Sequence, residues 1–131
     1  MLGVAGAEHA ETSPDADQLV VTPLTCSLAG RAESVRLLPG SHAAAIYGTD
    51  RVVEDFFCNY GLNPAYRPAI EQAGLRVTGL DGDGEARIVE LDHHPFFVAT
   101  LFCFQTRSRP ARPHPLTAAF AAACARRSQA T

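Results

Sequence analysis

The run Phe96-Phe97-Val98-Ala99-Thr100-Leu101-Phe102 constrains the fold more than any other segment of this chain. It is nearly all apolar, starts directly after His94-Pro95 and gives way to the polar Gln105-Thr106-Arg107-Ser108. Too short to span a membrane and bounded by breakers, it reads as a strand covered on both faces, at the buried centre of a sheet. Such a strand needs neighbours. Leu19 to Leu24 is β-rich but broken at Pro23, and Cys26-Ser27-Leu28 can continue it. Ser34 to Leu38 alternates and stops at Pro39-Gly40, and Val52 to Tyr60 is rich in β-branched and aromatic residues. Leu75 to Leu80 and Glu85 to Leu91 flank Asp81-Gly82-Asp83-Gly84, a hairpin signal. Ala43 to Tyr47 fits either helix or strand.

Two helices are expected. Asn63 can cap one running from near Ala65 to Ala73, with Pro64 and Pro68 tolerated only near its first turn and Gly74 placed to end it. Pro115 opens the last helix, on which Leu116, Ala119, Phe120 and Ala123 share one face. Arg126 and Arg127 in its final turn complement the helix dipole. Residues 1–18 read as a short apolar stub and a polar, proline-broken linker, and residues 19–131 as the domain proper. The order of elements predicts an α/β fold, a central sheet flanked by helices.

Composition narrows the function. A chain of 131 residues suits one domain or part of one, and 47% hydrophobic with 19% charged residues is globular. A net charge of -3 argues against nucleic acid as the main partner. No apolar run approaches the roughly 20 residues of a membrane span. Met1 to Ala7 lacks the basic flank of a signal peptide. The expected setting is the cytoplasm. All 11 basic side chains are arginine, which with the abundant alanine suggests a GC-rich, bacterial genome. Cys26, Cys58, Cys103 and Cys124 are far apart, with no C-x-x-C pair, so free thiols are expected rather than zinc. The adjacent His93 and His94 would point to opposite faces of a strand and cannot easily share an ion. Asp81 to Gly84 lacks the further ligands of a calcium loop. No metal or cofactor is expected; no phosphate-binding G-x-x-x-x-G-K-S/T loop occurs.

Three segments, in order, resemble the glutaminase domain of CTP synthases, a class I glutamine amidotransferase. His94 to Phe102, then Ser108-Arg109-Pro110, then His114-Pro115-Leu116 and Phe120 are similar to the family's stretch leading through its catalytic strand end into its last helix. Ala73 to Gly79, with Val89-Glu90-Leu91, forms a second match. Tyr47-Gly48, Glu54, Tyr60 and Asn63 form a third. The resemblance covers residues 19 to 127 and implies a flavodoxin-like class I amidotransferase fold, present as its C-terminal half. It also places the chain near bacterial proteins related to the C-terminal region of CTP synthase, some of them selenoproteins, which directs attention to Cys58 and Cys103.

The same resemblance implies that glutamine hydrolysis is lost. The family uses a cysteine nucleophile on a Gly-x-Cys-x-Gly elbow, a histidine base and a glutamate that orients it; the thiol must be deprotonated by a neighbour that is itself held in place. No cysteine here stands between such glycines, and the match begins after the elbow. The family's His-Pro-Glu aligns with Cys103-Phe104-Gln105, so a thiol replaces the base and an uncharged amide replaces the acid. The family's glutamine-holding Arg-His-Arg-His-Arg-Tyr aligns with Asp55-Phe56-Phe57-Cys58-Asn59-Tyr60, and only Tyr60 is kept as a substrate contact. Three functions follow as expectations. The first is a pseudoenzyme derived from pyrimidine biosynthesis. The second is a thiol-dependent enzyme using Cys103, with Gln105 holding a ligand; packed, inert roles for Cys103 and Cys58 and a plain surface amide for Gln105 are the alternative. The third is one part of a split amidotransferase, completed by a separate chain or a missing N-terminal segment. Arg107, Arg109 and Arg112 form a small basic cluster, either a phosphate or acidic-partner contact or a solvated loop.

Overall fold

The computed structural model describes residues 3–130. Five strands form one antiparallel sheet in the order β4 (Arg51–Phe56), β3 (Arg31–Leu37), β6 (Leu75–Leu80), β7 (Ala86–Leu91), β8 (Val98–Thr100). Three more form a small sheet in the order β1 (Glu8–His9), β2 (Leu19–Pro23), β5 (Tyr60–Leu62). Helix α1 (His42–Tyr47) joins β3 to β4, α2 (Arg67–Gln72) precedes β6, and α3 (Pro115–Gln129) closes the chain. The architecture is the expected mixed α/β one, curled sheets flanked by helices.

Alternation along β7 divides the core. Ile88 joins Val35, Leu37, Phe56 and Phe102 beneath Ala43 of α1 and Leu116 of α3. Val89 instead packs with Val77, Leu80 and Ile70 of α2. Burying each such side chain contributes about 1.5–3 kcal/mol. Glu90, beside Ile88, is buried and fixes α1 from the sheet. Its carboxylate accepts from His42 N (2.9 Å), Ala43 N (2.8 Å) and the Thr78 hydroxyl (2.9 Å). A six-residue helix whose first amides meet a carboxylate has two orphan donors satisfied and its dipole complemented. Gly48, at φ 68°, ends that helix.

The expected hairpin forms at Asp81. One carboxylate oxygen accepts from Asp83 N (3.0 Å) and Glu85 N (2.9 Å), while the other meets Arg87 Nη2 at 2.6 Å. Asn63 caps a single 3-10 turn at Pro64–Tyr66, and α2 follows it.

Several expectations need correction. The Phe96 to Phe102 run is not a central strand: only Val98–Thr100 is extended, and it lies at the edge of the sheet. Its apolar residues serve different surfaces. Phe102 is buried against Phe56, rings 5.7 Å apart, whereas Phe97 is 39% exposed. Val52 to Tyr60 is not one strand either; the chain leaves the large sheet after Phe56 and enters the small one at Tyr60. Cys26-Ser27-Leu28 is not extended. On α3, Leu116 and Ala123 are buried, but Phe120 is exposed and lies against Phe96. Residues 1–18, read as stub and linker, include β1, which pairs in parallel with β2, and a buried Ala10.

Candidate functional site

The segment after β8 turns sharply. Cys103 precedes a 3-10 turn at Phe104–Arg107, and β4 runs alongside. Cys103 N donates to Asp55 O (2.9 Å), and Cys103 O accepts from Thr106 N (3.0 Å). Asp55 ties the turn down from β4. Its Oδ1 accepts from Arg107 Nη2 (2.6 Å), and its Oδ2 lies 2.9 Å from the Thr106 hydroxyl. The Arg107 guanidinium, with help from Thr106, holds the Asp55 carboxyl below the usual carboxylate range. Arg109 Nη1 donates to the carbonyls of Thr106 and Ser108, both at 2.8 Å. The side chains of Arg107 and Arg109 are thus engaged within the corner itself.

Cys103 and Gln105 stand together at this corner. Cys103 is a half-buried free thiol, and Gln105 is exposed with its backbone carbonyl accepting from Ser108 N (3.2 Å). Cys58 is also half-buried; its thiol donates to Leu101 O at 3.2 Å, beside the strand that leads to Cys103. Tyr60 is placed elsewhere, on β5 in the small sheet, its ring against His9 at 5.3 Å. His94 makes a turn, Nδ1 accepting from Phe96 N (3.2 Å), and His93 has φ 60°. Among the described residues no group of three or more His, Cys, Asp or Glu could hold a metal ion. No helix of the described chain is long and apolar enough to cross a membrane.

Behind the corner lies a polar knot that sequence reasoning did not assemble. Glu54 and His114 are 2% and 5% exposed. His114 Nδ1 accepts from Leu116 N (3.2 Å), capping α3, so its Nε2 carries the proton and donates to Glu54 Oε1 at 2.8 Å. The Tyr47 hydroxyl donates to the same oxygen at 2.7 Å. Burial, reinforced by Glu54, pushes the Tyr47 phenol far above its ordinary pKa. Glu54 Oε2 has no hydrogen-bond partner and lies 3.9 Å from Arg107 Nε. The Phe104 ring covers His114 at 5.4 Å. Tyr47, Glu54 and His114 come from three elements spread over more than sixty positions, so no local spacing could have joined them.

The turn after β8 carries Cys103 and Gln105 in front of this buried polar knot, in a mixed α/β domain whose curled sheets are flanked by helices, and the likeness to a solved structure gives the class: a class I glutamine amidotransferase-type fold. Comparison with known proteins specifies it further. The CTP synthase of Roseiflexus castenholzii is 44% identical over 110 residues, 83% of this chain and 20% of that protein. That of Thermomicrobium roseum is 37% identical over 129 residues, 92% of this chain and 23% of its own length. A solved Trypanosoma brucei CTP synthase glutaminase domain with bound acivicin superposes with a TM-score of 0.89 at 26% identity, over 96% of this chain and 53% of that one. No family model matches. Within its class, the chain is a relative of the CTP synthases: its sequence and fold correspond to the C-terminal part of their glutaminase domain. It spans about a fifth of the length of the curated relatives it matches.

Proposed function

We propose that this chain is a CTP synthase-type glutaminase scaffold that does not hydrolyse glutamine and acts as a binding or regulatory module. One observation carries the reading. The corner aligned with the family's catalytic His-Pro-Glu presents Cys103 and Gln105, and the nearby Asp55 is held by Arg107 and Thr106. A thiol at that place is not an imidazole base, and an amide cannot stabilise an imidazolium. The arginines that could clamp a substrate carboxylate bind the corner's own oxygens. The proposed setting is a bacterial cytoplasm, in keeping with four free cysteines and arginine as the only basic residue besides histidine. A glutaminase assay on the purified chain tests the reading. No glutamate release is expected; release abolished by replacing a single cysteine would overturn it.

A second reading is thiol-dependent chemistry at Cys103, favoured by its position at a strand exit where the fold places reactive groups. Peroxide and disulfide reductase assays of Cys103→Ser against the unaltered chain discriminate. Equal activity in both removes this reading.

A further inference from the structure

A hollow of about 580 Å³ opens between the small sheet and the large one, within the size range of small-molecule sites. Its lining comes from β2 and the loop after it, from β3, from β5 and from the hairpin between β6 and β7. No residue of the Cys103 turn takes part. Val35 and Ile88 fill the first core, so their neighbours Ser34 and Arg87 take the sheet's other face, where both line the hollow. Arg87 is 6% exposed. Its Nη1 donates to Ala86 O (3.0 Å) and its Nη2 to Asp81 Oδ2 (2.6 Å). A guanidinium carries more N–H groups than these two bonds use. The buried Ser34 hydroxyl has no partner at all. Buried polar groups of this kind call for a partner, here one that accepts.

The charges around the hollow call for something else as well. Arg31 is held by Glu33 at 3.0 Å and Arg87 by Asp81, so these four groups cancel in pairs. Asp83 and Glu85 also line the hollow, and among the described residues neither carboxylate meets a cation. Leu24, Leu28 and Leu62 supply an apolar stretch. We propose that this hollow binds a dibasic amino acid, with its α-carboxylate on Arg87 and its two ammonium groups facing Asp83 and Glu85. The methylene stem between them lies along the leucines. A plain carboxylate would be repelled by Asp83 and Glu85, and a diamine would leave the spare donors of Arg87 unmatched. A divalent cation lacks its ligands, since no group of three or more acidic, His or Cys side chains among the described residues could hold one. The site supplies a ligand for the binding role proposed above at a place apart from the corner, so it stands whether or not the corner hydrolyses glutamine.

Calorimetric titration of the full chain with L-lysine tests the proposal. One saturable site with Kd at or below about 1 mM is expected. L-Norleucine lacks the terminal ammonium and cadaverine lacks the carboxylate, and each should bind about tenfold more weakly or worse. Asp83→Asn and Glu85→Gln should each lower the lysine affinity by about fivefold at low salt. Asp83 is exposed and its carboxylate has no partner in the fold, so Asp83→Asn should leave the unfolding midpoint in place. Amide shifts on adding lysine should centre on residues 82–85 and Ser34. No saturable binding up to about 10 mM lysine would overturn the proposal. So would equal binding of norleucine or cadaverine, or indifference of lysine binding to either substitution. L-Glutamine bound as tightly as L-lysine would overturn it too, because the second ammonium would then contribute nothing.

Discussion

Glu54 and Asp55 are neighbours on β4, and alternation sends their carboxylates to different surroundings. Glu54 enters the protein, where it receives the Nε2 proton of His114 and the hydroxyl of Tyr47. Asp55 stays at the surface and holds Arg107 and Thr106. Arg107 spans the two, 2.6 Å from Asp55 and 3.9 Å from Glu54. The first carboxylate ties β4 to α1 and to the start of α3. The second shapes the turn that carries Cys103 and Gln105. Removing a buried acceptor leaves its donors unsatisfied in a medium of low dielectric, whereas water replaces an exposed one. The knot should therefore govern stability, and the rim should govern what the corner can bind.

The largest effect is expected at Glu54. Glu54→Ala strands the Tyr47 hydroxyl and the His114 Nε2 proton, and should destabilise the chain by about 3–5 kcal/mol. Urea unfolding measures it, and a loss below about 1 kcal/mol would break the distinction between knot and rim. Next comes His114. His114→Ala removes both the α3 cap and a Glu54 partner, at a cost of about 2–3 kcal/mol. His114→Asn should recover about 1 kcal/mol, since asparagine caps helices well but cannot easily reach Glu54. Equal losses in both variants would mean that the cap contributes nothing.

Tyr47 gives a smaller effect with a clear pH signature. In the unfolded chain the phenol ionises near its ordinary value of 10.0, while burial and Glu54 keep it protonated in the fold. The folded pKa is raised, so the stabilisation is fully present below pH 10 and declines as the pH rises above it. The slope is at most about 1.4 kcal/mol per pH unit, reduced by the part of Tyr47 that water reaches. Tyr47→Phe should cost about 1 kcal/mol at neutral pH and show a shallower alkaline decline. Parallel alkaline curves for the two proteins would show that Tyr47 ionises as freely in the fold as outside it.

Local signals carried much of the architecture. The Asp81 hairpin, the Asn63 cap, the Gly74 stop and the Pro115 start are each written in two to four adjacent residues, and each formed. What failed was the inference from apolar content to burial. Phe96 to Phe102 looked like a sheet centre because six of seven residues are apolar. In the fold Phe102 fills the core, Ala99 faces outward and Phe97 is partly exposed, because the run crosses from a turn through an edge strand into the corner. An exposed apolar surface is written in the same residues as a buried one, so sequence cannot separate it from core. The site divides the same way. That Cys103 and Gln105 share one turn was legible because they are two residues apart and align with a family motif at a fixed position. The knot was not: Tyr47, Glu54 and His114 each stand in a family-like segment, but Glu54 meets His114 across sixty positions and no spacing in the sequence joins them.

The smallest expected effect belongs to Asp55, and it sharpens the comparison most directly. Arg107 first, and Thr106 after it, hold the Asp55 carboxyl below its ordinary 3.8. A depressed carboxylate stabilises the fold above its unfolded pKa and loses that contribution as the pH falls through the folded value. Asp55→Asn should therefore lower neutral stability only slightly, by an ion-pair contribution that water screens, and flatten the acid-side decline below pH 3.8. The turn should loosen at the same time, because an amide holds a guanidinium less strongly than a carboxylate does. Faster alkylation of Cys103 in Asp55→Asn, with the unfolding midpoint at pH 7 little moved, would place Asp55 in control of access to the corner. A loss of neutral stability as large as that of Glu54→Ala would instead mean that the two carboxylates belong to one cooperative unit, joined through Arg107.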